Sequence, residues 1–97
     1  MNLAPGSTRI TTSDTVVGRS GEPYRLFEVI LKSGGTLSTL LLKNGTTSSG
    51  TEYDSITGEA SVVVRVAYAG GLLFPGGLFA DVDANITYAV FIGTNET

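Results

Sequence analysis

The chain has 97 residues, enough for one domain with one core, and it contains no Cys and no His. These absences exclude disulfides, thiolate metal sites and the usual Ser-His and Cys-His nucleophile pairs. Charged residues make up only 15% of the chain and the net charge is −3, so no basic stripe is present to follow a phosphate backbone. We therefore predict a non-enzymatic domain with no cofactor and no nucleic-acid partner.

The first part of the chain, residues 1–22, is polar and repeatedly interrupted by Gly and Pro. We interpret it as an extended N-terminal arm, which is either a frayed terminus or a segment that orders on a neighbouring subunit. The start lacks the basic and apolar regions of a secretory signal, and no apolar run approaches the roughly 20 residues of a membrane helix. We expect a soluble protein made inside the cell, without a membrane partner.

The remainder, residues 23–97, is predicted to form one β domain. Apolar side chains alternate with period two between bends rich in Gly, Asn and Ser, and no segment has a helical apolar stripe. The predicted strands are residues 24–32, 36–43, 52–57, 61–68, two short pieces within 70–77, 78–82 and 86–92. The connections are too short for parallel crossovers. The sequence therefore predicts an all-β fold, a single antiparallel β-sandwich or barrel-like domain of about seven or eight short strands.

One segment has the opening pattern of a calcium-binding loop. Residues 81–85 read Asp-Val-Asp-Ala-Asn, but Ile86 and Ile92 stand where that loop needs a glycine and a bidentate glutamate. We predict no metal site of that class. Whether Asp81 and Asp83 hold a cation weakly is left open beside the simpler interpretation that both are solvated turn carboxylates.

Much of the chain also shows a pattern of glycine pairs between apolar strands. A strand at residues 62–67 is followed by Gly-Gly-Leu-Leu-Phe, Gly-Gly-Leu-Phe and a last strand bearing Thr and Tyr, and an earlier strand ends in Leu-Leu-Lys-Asn-Gly. In this arrangement the stretch 24–94 resembles small Gly-rich β proteins of tailed bacteriophages. The resemblance implies a capsid decoration or cement protein, made in the host cytoplasm, that binds the major capsid protein on the outer surface of the virion. It also implies a homo-oligomer, most often a trimer at local threefold positions.

A protein of that kind works through apolar contacts with its neighbours. The residues that we predict to bind partners are Leu3, Ile10, Val16 and Val17 in the arm, and Leu26, Ile30, Leu73 and Phe79 in the β domain. The pattern alone does not separate a face buried inside a sandwich from one covered by a partner.

Two alternative functions stay open. The first is an adaptor of the phage neck, tail or fibre, which would assemble as a ring. The second is a module that binds carbohydrate or a host surface through a shallow site with Tyr53, Tyr68 or Tyr88 and nearby carboxylates.

Overall fold

The computed structural model describes residues 7–11 and 14–96, with side chains described from residue 14 onward. Within this part of the chain there are eight strands and no helix, so none that would be long and apolar enough to cross a membrane. The strands are β1 (Ser7–Thr11), β2 (Thr15–Val17), β3 (Tyr24–Ser33), β4 (Ser38–Asn44), β5 (Thr51–Gly58), β6 (Val63–Phe74), β7 (Leu78–Val82) and β8 (Ile86–Asn95).

The strands form two four-stranded antiparallel sheets packed face to face. The first sheet has the order β1-β8-β3-β6 and the second has the order β2-β7-β4-β5. Strands at equal distances from the two ends of the chain pair with each other: β1 with β8, β2 with β7, β3 with β6 and β4 with β5. This nested pairing is the topology of a jelly roll, and it confirms the predicted all-β antiparallel sandwich.

The predicted N-terminal arm is wrong for the residues that the structure describes. Strand β1 pairs with β8 from Ser7↔Gly93 to Thr11↔Ala89, and β2 pairs with β7. Val17, at the end of β2, is fully buried in the core. The chain therefore enters the sandwich well before residue 23. An arm was predicted because residues 1–22 are polar and broken by Gly and Pro, and only residues 9–12 and 15–17 suggested short extended pieces.

The core lies between the sheets and is built from alternate side chains of β3, β4, β7 and β8, with one residue from each of β2, β5 and β6. Fourteen buried apolar residues form it: Val17, Tyr24, Leu26, Val29, Leu31, Leu40, Leu42, Ile56, Phe74, Leu78, Ala80, Ile86, Ala89 and Phe91. Two buried polar residues, Ser33 and Ser38, share a hydrogen bond of 2.7 Å between their hydroxyl oxygens. These two hydroxyls satisfy each other, which removes the cost of burying them alone.

The ring of Tyr24 occupies space that is free because its neighbours Gly18 and Gly93 have no side chain. A Cβ on Gly18 would lie 2.7 Å from Cδ1 of this ring, and a Cβ on Gly93 would lie 2.7 Å from its hydroxyl oxygen and would also collide with the carbonyl oxygen of Arg25. Gly93 is buried in the middle of the pairing between β8 and β3. Glycine is therefore required at position 93 for close approach and not for a turn.

Gly93→Ala is expected to lower the free energy of unfolding by about 2 kcal/mol, because the added methyl group overpacks the site. Urea denaturation measures this loss. Gly35→Ala is the matched control, since Gly35 lies in an exposed turn and its Cβ would meet nothing within 4 Å; it should change stability by less than about 0.5 kcal/mol. Equal effects of the two substitutions would show that Tyr24 does not depend on the space at position 93.

The Tyr24 hydroxyl is buried without a hydrogen-bond partner among the described residues. Burial raises its pKa from 10.0 to about 12, because the phenolate is the form that loses hydration. Between pH 10 and 12 the unfolded chain therefore releases a proton that the folded chain keeps, so this tyrosine makes stability fall as the pH rises through that range.

Tyr24→Phe is expected to leave the free energy of unfolding at pH 7 unchanged or to raise it by up to about 1 kcal/mol, because an unpartnered buried hydroxyl is removed. The variant should also lose less stability than the wild type between pH 10 and 12. Urea titrations at several pH values measure both effects. A clear loss of stability at pH 7 would mean that the hydroxyl makes a stabilising contact.

Candidate partner-binding surface

The outer face of the first sheet carries a group of half-buried apolar side chains. Along β3 and β8 the side chains of Val29, Leu31, Ala89 and Phe91 point into the core, so the alternate ones point outward. The outward apolar residues are Phe27, Ile30, Leu73, Val90 and Ile92, and we call this group the outer apolar face. Ile30, Val90 and Ile92 are neighbours, because Ile30 is in register with Val90 and the adjoining pair is Glu28 with Ile92. Leu73 is in register with Arg25.

Two ion pairs lie on this side of the sheet, one beside Ile30 and Ile92 and one beside Leu73. Arg65 Nη1 lies 3.1 Å from Glu28 Oε2, and Arg25 Nη2 lies 3.2 Å from Glu96 Oε1. Both pairs are solvent-exposed in part, so each adds little to folding stability. An apolar centre with a charged rim is the usual anatomy of a protein–protein interface.

The pairing of β3 with both of its neighbours is irregular at Phe27, and this irregularity shapes the surface. Four residues of β6, 68–71, face the single residue Phe27 between the pairs Leu26↔Leu72 and Glu28↔Ala67. Gly71 has a φ of +86°, and a Cβ there would lie 2.5 Å from Cγ of Arg25 and 3.1 Å from Cε1 of Phe27. The Arg25 and Phe27 side chains thus lie directly over the backbone of β6.

The outer face of the second sheet is more polar. Val16 and Phe79 are in register on β2 and β7 and are partly exposed. Beside them Lys43 Nζ donates to Asp81 Oδ2 and to the carbonyl of Ser48, both at 2.7 Å. Lys43 is in register with Phe79, and Asp81 is in register with the outward residue Leu41, so this ion pair lies in the same rows as the apolar side chains.

The two carboxylates of the incomplete calcium pattern have partners of their own. Asp81 is paired with Lys43, and Asp83 accepts a hydrogen bond of 2.8 Å from the Asn85 amide in the turn before β8. Among the residues that the structure describes, no three His, Cys, Asp or Glu side chains come together as metal ligands. The geometry of this segment is that of a paired strand followed by a capped turn.

The tyrosines named for a carbohydrate site do not line one surface. Tyr68 of β6 donates to Asp54 of β5 at 2.6 Å, and the ring of Tyr53 stacks on Phe74 at a centroid distance of 5.1 Å. Both contacts join the edges of the two sheets. Tyr88, in contrast, is on β8 in register with Lys32 of β3. Burial, followed by the hydrogen bond to the Asp54 carboxylate and its charge, raises the pKa of Tyr68.

The structure places the predicted contact residues in several different environments. Val17 and Leu26 are fully buried in the core, so their assignment as partner contacts is wrong. Ile30 and Leu73 belong to the outer apolar face, whereas Val16 and Phe79 lie on the opposite side of the sandwich. Leu3 and the side chain of Ile10 lie outside the described residues, although the backbone of residue 10 is in register with Val90.

Sequence reasoning missed an exposed apolar group at one end of the sandwich. Leu37, Val62 and Val63 are 54%, 43% and 50% exposed. They follow the turns after β3 and β5, which are joined by a hydrogen bond from the Ser61 amide to the Gly34 carbonyl. The alternation had suggested that the strand starts at residue 61, but Ser61 has a φ of 61° and the strand begins at Val63. The small residues before Val62 were the signal for a longer turn.

Comparisons of this chain with protein-family models, with curated proteins and with solved structures found no match. A functional hypothesis therefore depends on the surface described above.

Tyr68→Phe is expected to lower the free energy of unfolding by about 1 kcal/mol, because the Asp54 carboxylate loses a charge-assisted hydrogen bond. Thermal or urea denaturation at pH 7 measures the change. Tyr88→Phe is the matched control on the outer face of the first sheet, and it should have a smaller effect. If the control destabilises the protein as much as Tyr68→Phe, the contact between β5 and β6 is not a specific stabilising link.

Proposed function

We propose that this chain is a non-enzymatic structural protein of a phage virion, a decoration or cement protein that binds the major capsid protein on the outside of the shell. The observation that carries the proposal is the outer apolar face with its rim of ion pairs. A surface of that composition suits a broad, shallow protein contact.

The rigidity of the fold favours this use. The face is carried by β3 and β8, two neighbouring strands that pair along almost their whole length at the centre of the first sheet. Its side chains are therefore held in a fixed arrangement, and little conformational entropy would be lost on binding. Many copies on a shell would each add a modest contact, so stability would grow by repetition of weak interactions.

The choice of a capsid as partner comes from the resemblance to Gly-rich phage proteins and from compatibility with the fold. Jelly rolls occur in viral capsid proteins and in lectins alike, so the topology by itself does not select a partner. A lectin-like function would need the tyrosines of the chain to converge, whereas Tyr53 and Tyr68 contact residues at the β5–β6 side and Tyr88 lies on the outer face of the first sheet. An adaptor of the neck or tail would use the same face and would differ in stoichiometry.

Ile92→Lys is expected to weaken binding to empty capsid shells of the source phage by at least about tenfold, because a charge is placed in the apolar centre of the contact. Ile92 is in register with Glu28, so a lysine there has a neighbouring carboxylate and the fold should persist. Co-sedimentation with shells measures binding, and far-ultraviolet circular dichroism checks the fold.

Thr57→Lys is the matched control, since it adds the same charge to an exposed position on β5 of the second sheet. It should bind shells like the wild type. Equal binding by all three proteins would remove the outer apolar face from the proposal. Failure of the wild type to bind shells, together with binding to a glycan array, would overturn the capsid function and favour the carbohydrate alternative.

A further inference from the structure

Strand β6 is a long edge strand, and its residues 63–67, ahead of the irregular segment 68–71, lack the usual protection against pairing. It is the last strand of the first sheet in the part of the chain that the structure describes, and it runs for twelve residues. Its sequence contains no Pro, no Lys and one charge, Arg65. Protein edges are normally shielded by short length, by proline or by several charges. The edge strands of the second sheet follow that rule: β2 has three residues and β5 carries Glu52 and Asp54.

The direction of the backbone groups shows which residues of β6 present the open edge. The Ser33 amide donates to the Val62 carbonyl at 3.2 Å, so the carbonyl of residue 62 points towards β3, while its amide donates to the Glu59 carbonyl in the turn. In an antiparallel ladder these directions alternate from residue to residue. The amide and carbonyl groups of Val63, Arg65 and Ala67 therefore point away from β3, along the exposed edge. Val63 is also half exposed.

Two copies of this edge can pair antiparallel around a twofold axis, and in three of the matching registers Arg65 faces one of these outward residues of the partner. In the first, Arg65 faces the partner's Arg65, which brings two like charges together. In the second, Arg65 faces the partner's Val63, and the next side chain across the sheet is Lys32 of the partner subunit, because Lys32 and Val63 are in register within each chain. Both registers are electrostatically unfavourable.

The third register is complementary. Arg65 faces the partner's Ala67, and the next side chain across the sheet is the partner's Glu28, because Glu28 and Ala67 are in register within each chain. Arg65 and the partner's Glu28 are two strand spacings apart, about 10 Å. Their extended side chains can meet over the small side chain of the partner's Ala67, which lies between them. Glu28 already attracts Arg65 within its own chain, at 3.1 Å. Twofold symmetry forms this contact twice.

We propose that two copies of this chain associate through β6, antiparallel, with Arg65 of each copy opposite Ala67 of the other. The pairing joins two first sheets into one continuous eight-stranded sheet with about four new backbone hydrogen bonds at its centre. This interface is isologous and lies at the edge of the sheet, next to the outer apolar face, whose ion pair between Arg65 and Glu28 it uses.

Substitutions at position 67 test both the pairing and its register. Ala67→Lys places a cation opposite the partner's Arg65 and should raise the dimer dissociation constant about tenfold, whereas Ala67→Glu should lower it by a similar factor. Sedimentation equilibrium measures the constant. Ala84→Lys, in the exposed turn before β8, adds the same charge away from β6 and should leave the constant unchanged.

The folding of the single chain provides an internal check. Position 67 is in register with Glu28 of the same chain. Ala67→Lys should therefore stabilise the folded monomer slightly, and Ala67→Glu should destabilise it slightly. These effects on folding are opposite to the effects of the same substitutions on pairing. A change in association therefore cannot be attributed to a change in folding stability.

The proposal is overturned if the wild type is monomeric at every concentration reached, if both substitutions at position 67 shift the constant in the same direction, or if the protein forms only a trimer that neither substitution affects. The wild-type protein separates this inference from the proposed function. A wild type that binds capsid shells without pairing would overturn the pairing alone, and a wild type that pairs without binding shells would overturn the capsid function alone.

Discussion

Burial of alternate side chains between two facing sheets is the interaction on which the rest of this structure depends. The core residues come from seven strands, and most of them are aliphatic or aromatic. A fully buried Leu or Phe side chain contributes about 1.5 to 3 kcal/mol relative to the exposed state, and in this chain without disulfides those contributions offset the entropy of ordering the backbone. The close fit around Tyr24 follows from the same requirement, because the ring fills its place only where Gly18 and Gly93 have no Cβ. Packing around Tyr24 therefore requires a residue without a side chain at positions 18 and 93.

The same alternation determines what the molecule presents to its surroundings. Each strand that places one set of side chains in the core places the other set outside, so an apolar residue at an outward position has no role in that core. On β3 and β8 such residues are adjacent in register, as with Ile30 and Val90, and ion pairs border them. On the second sheet, Lys43 and Asp81 interrupt the apolar area. The two faces of the sandwich are thus chemically different, and this difference is what makes the first sheet the better candidate for a protein contact.

The sequence was sufficient for the fold class and for most of the strands, and insufficient for two features. The strands predicted at residues 24–32, 78–82 and 86–92 match β3, β7 and β8 closely, because long period-two segments bounded by glycine have few other structures available. Strands β1 and β2 were not placed in the sheets because their stability comes from pairing with β8 and β7, which are distant in sequence. Leu26 and Ile30 look alike in the sequence, but the bulge at Phe27 shifts the phase of β3, so that Leu26 is buried and Ile30 points outward. A single strand read by itself contains no information about that shift.

Jelly-roll topology also determines which strands lie at the edges of the two sheets. Nested pairing leaves β1 and β6 at the ends of the first sheet and β2 and β5 at the ends of the second, and each of these strands must either meet water or meet another strand. Along β5 and β6 the sheets are linked by side chains, through Tyr68 with Asp54 and Tyr53 with Phe74, and not by a backbone ladder. The backbone groups at the start of β6 therefore remain open even though the side chains beneath them are packed. A sandwich closed by side chains in this way stays folded as a single chain and still keeps one strand available for pairing, which suits a protein that acts by joining copies or neighbours.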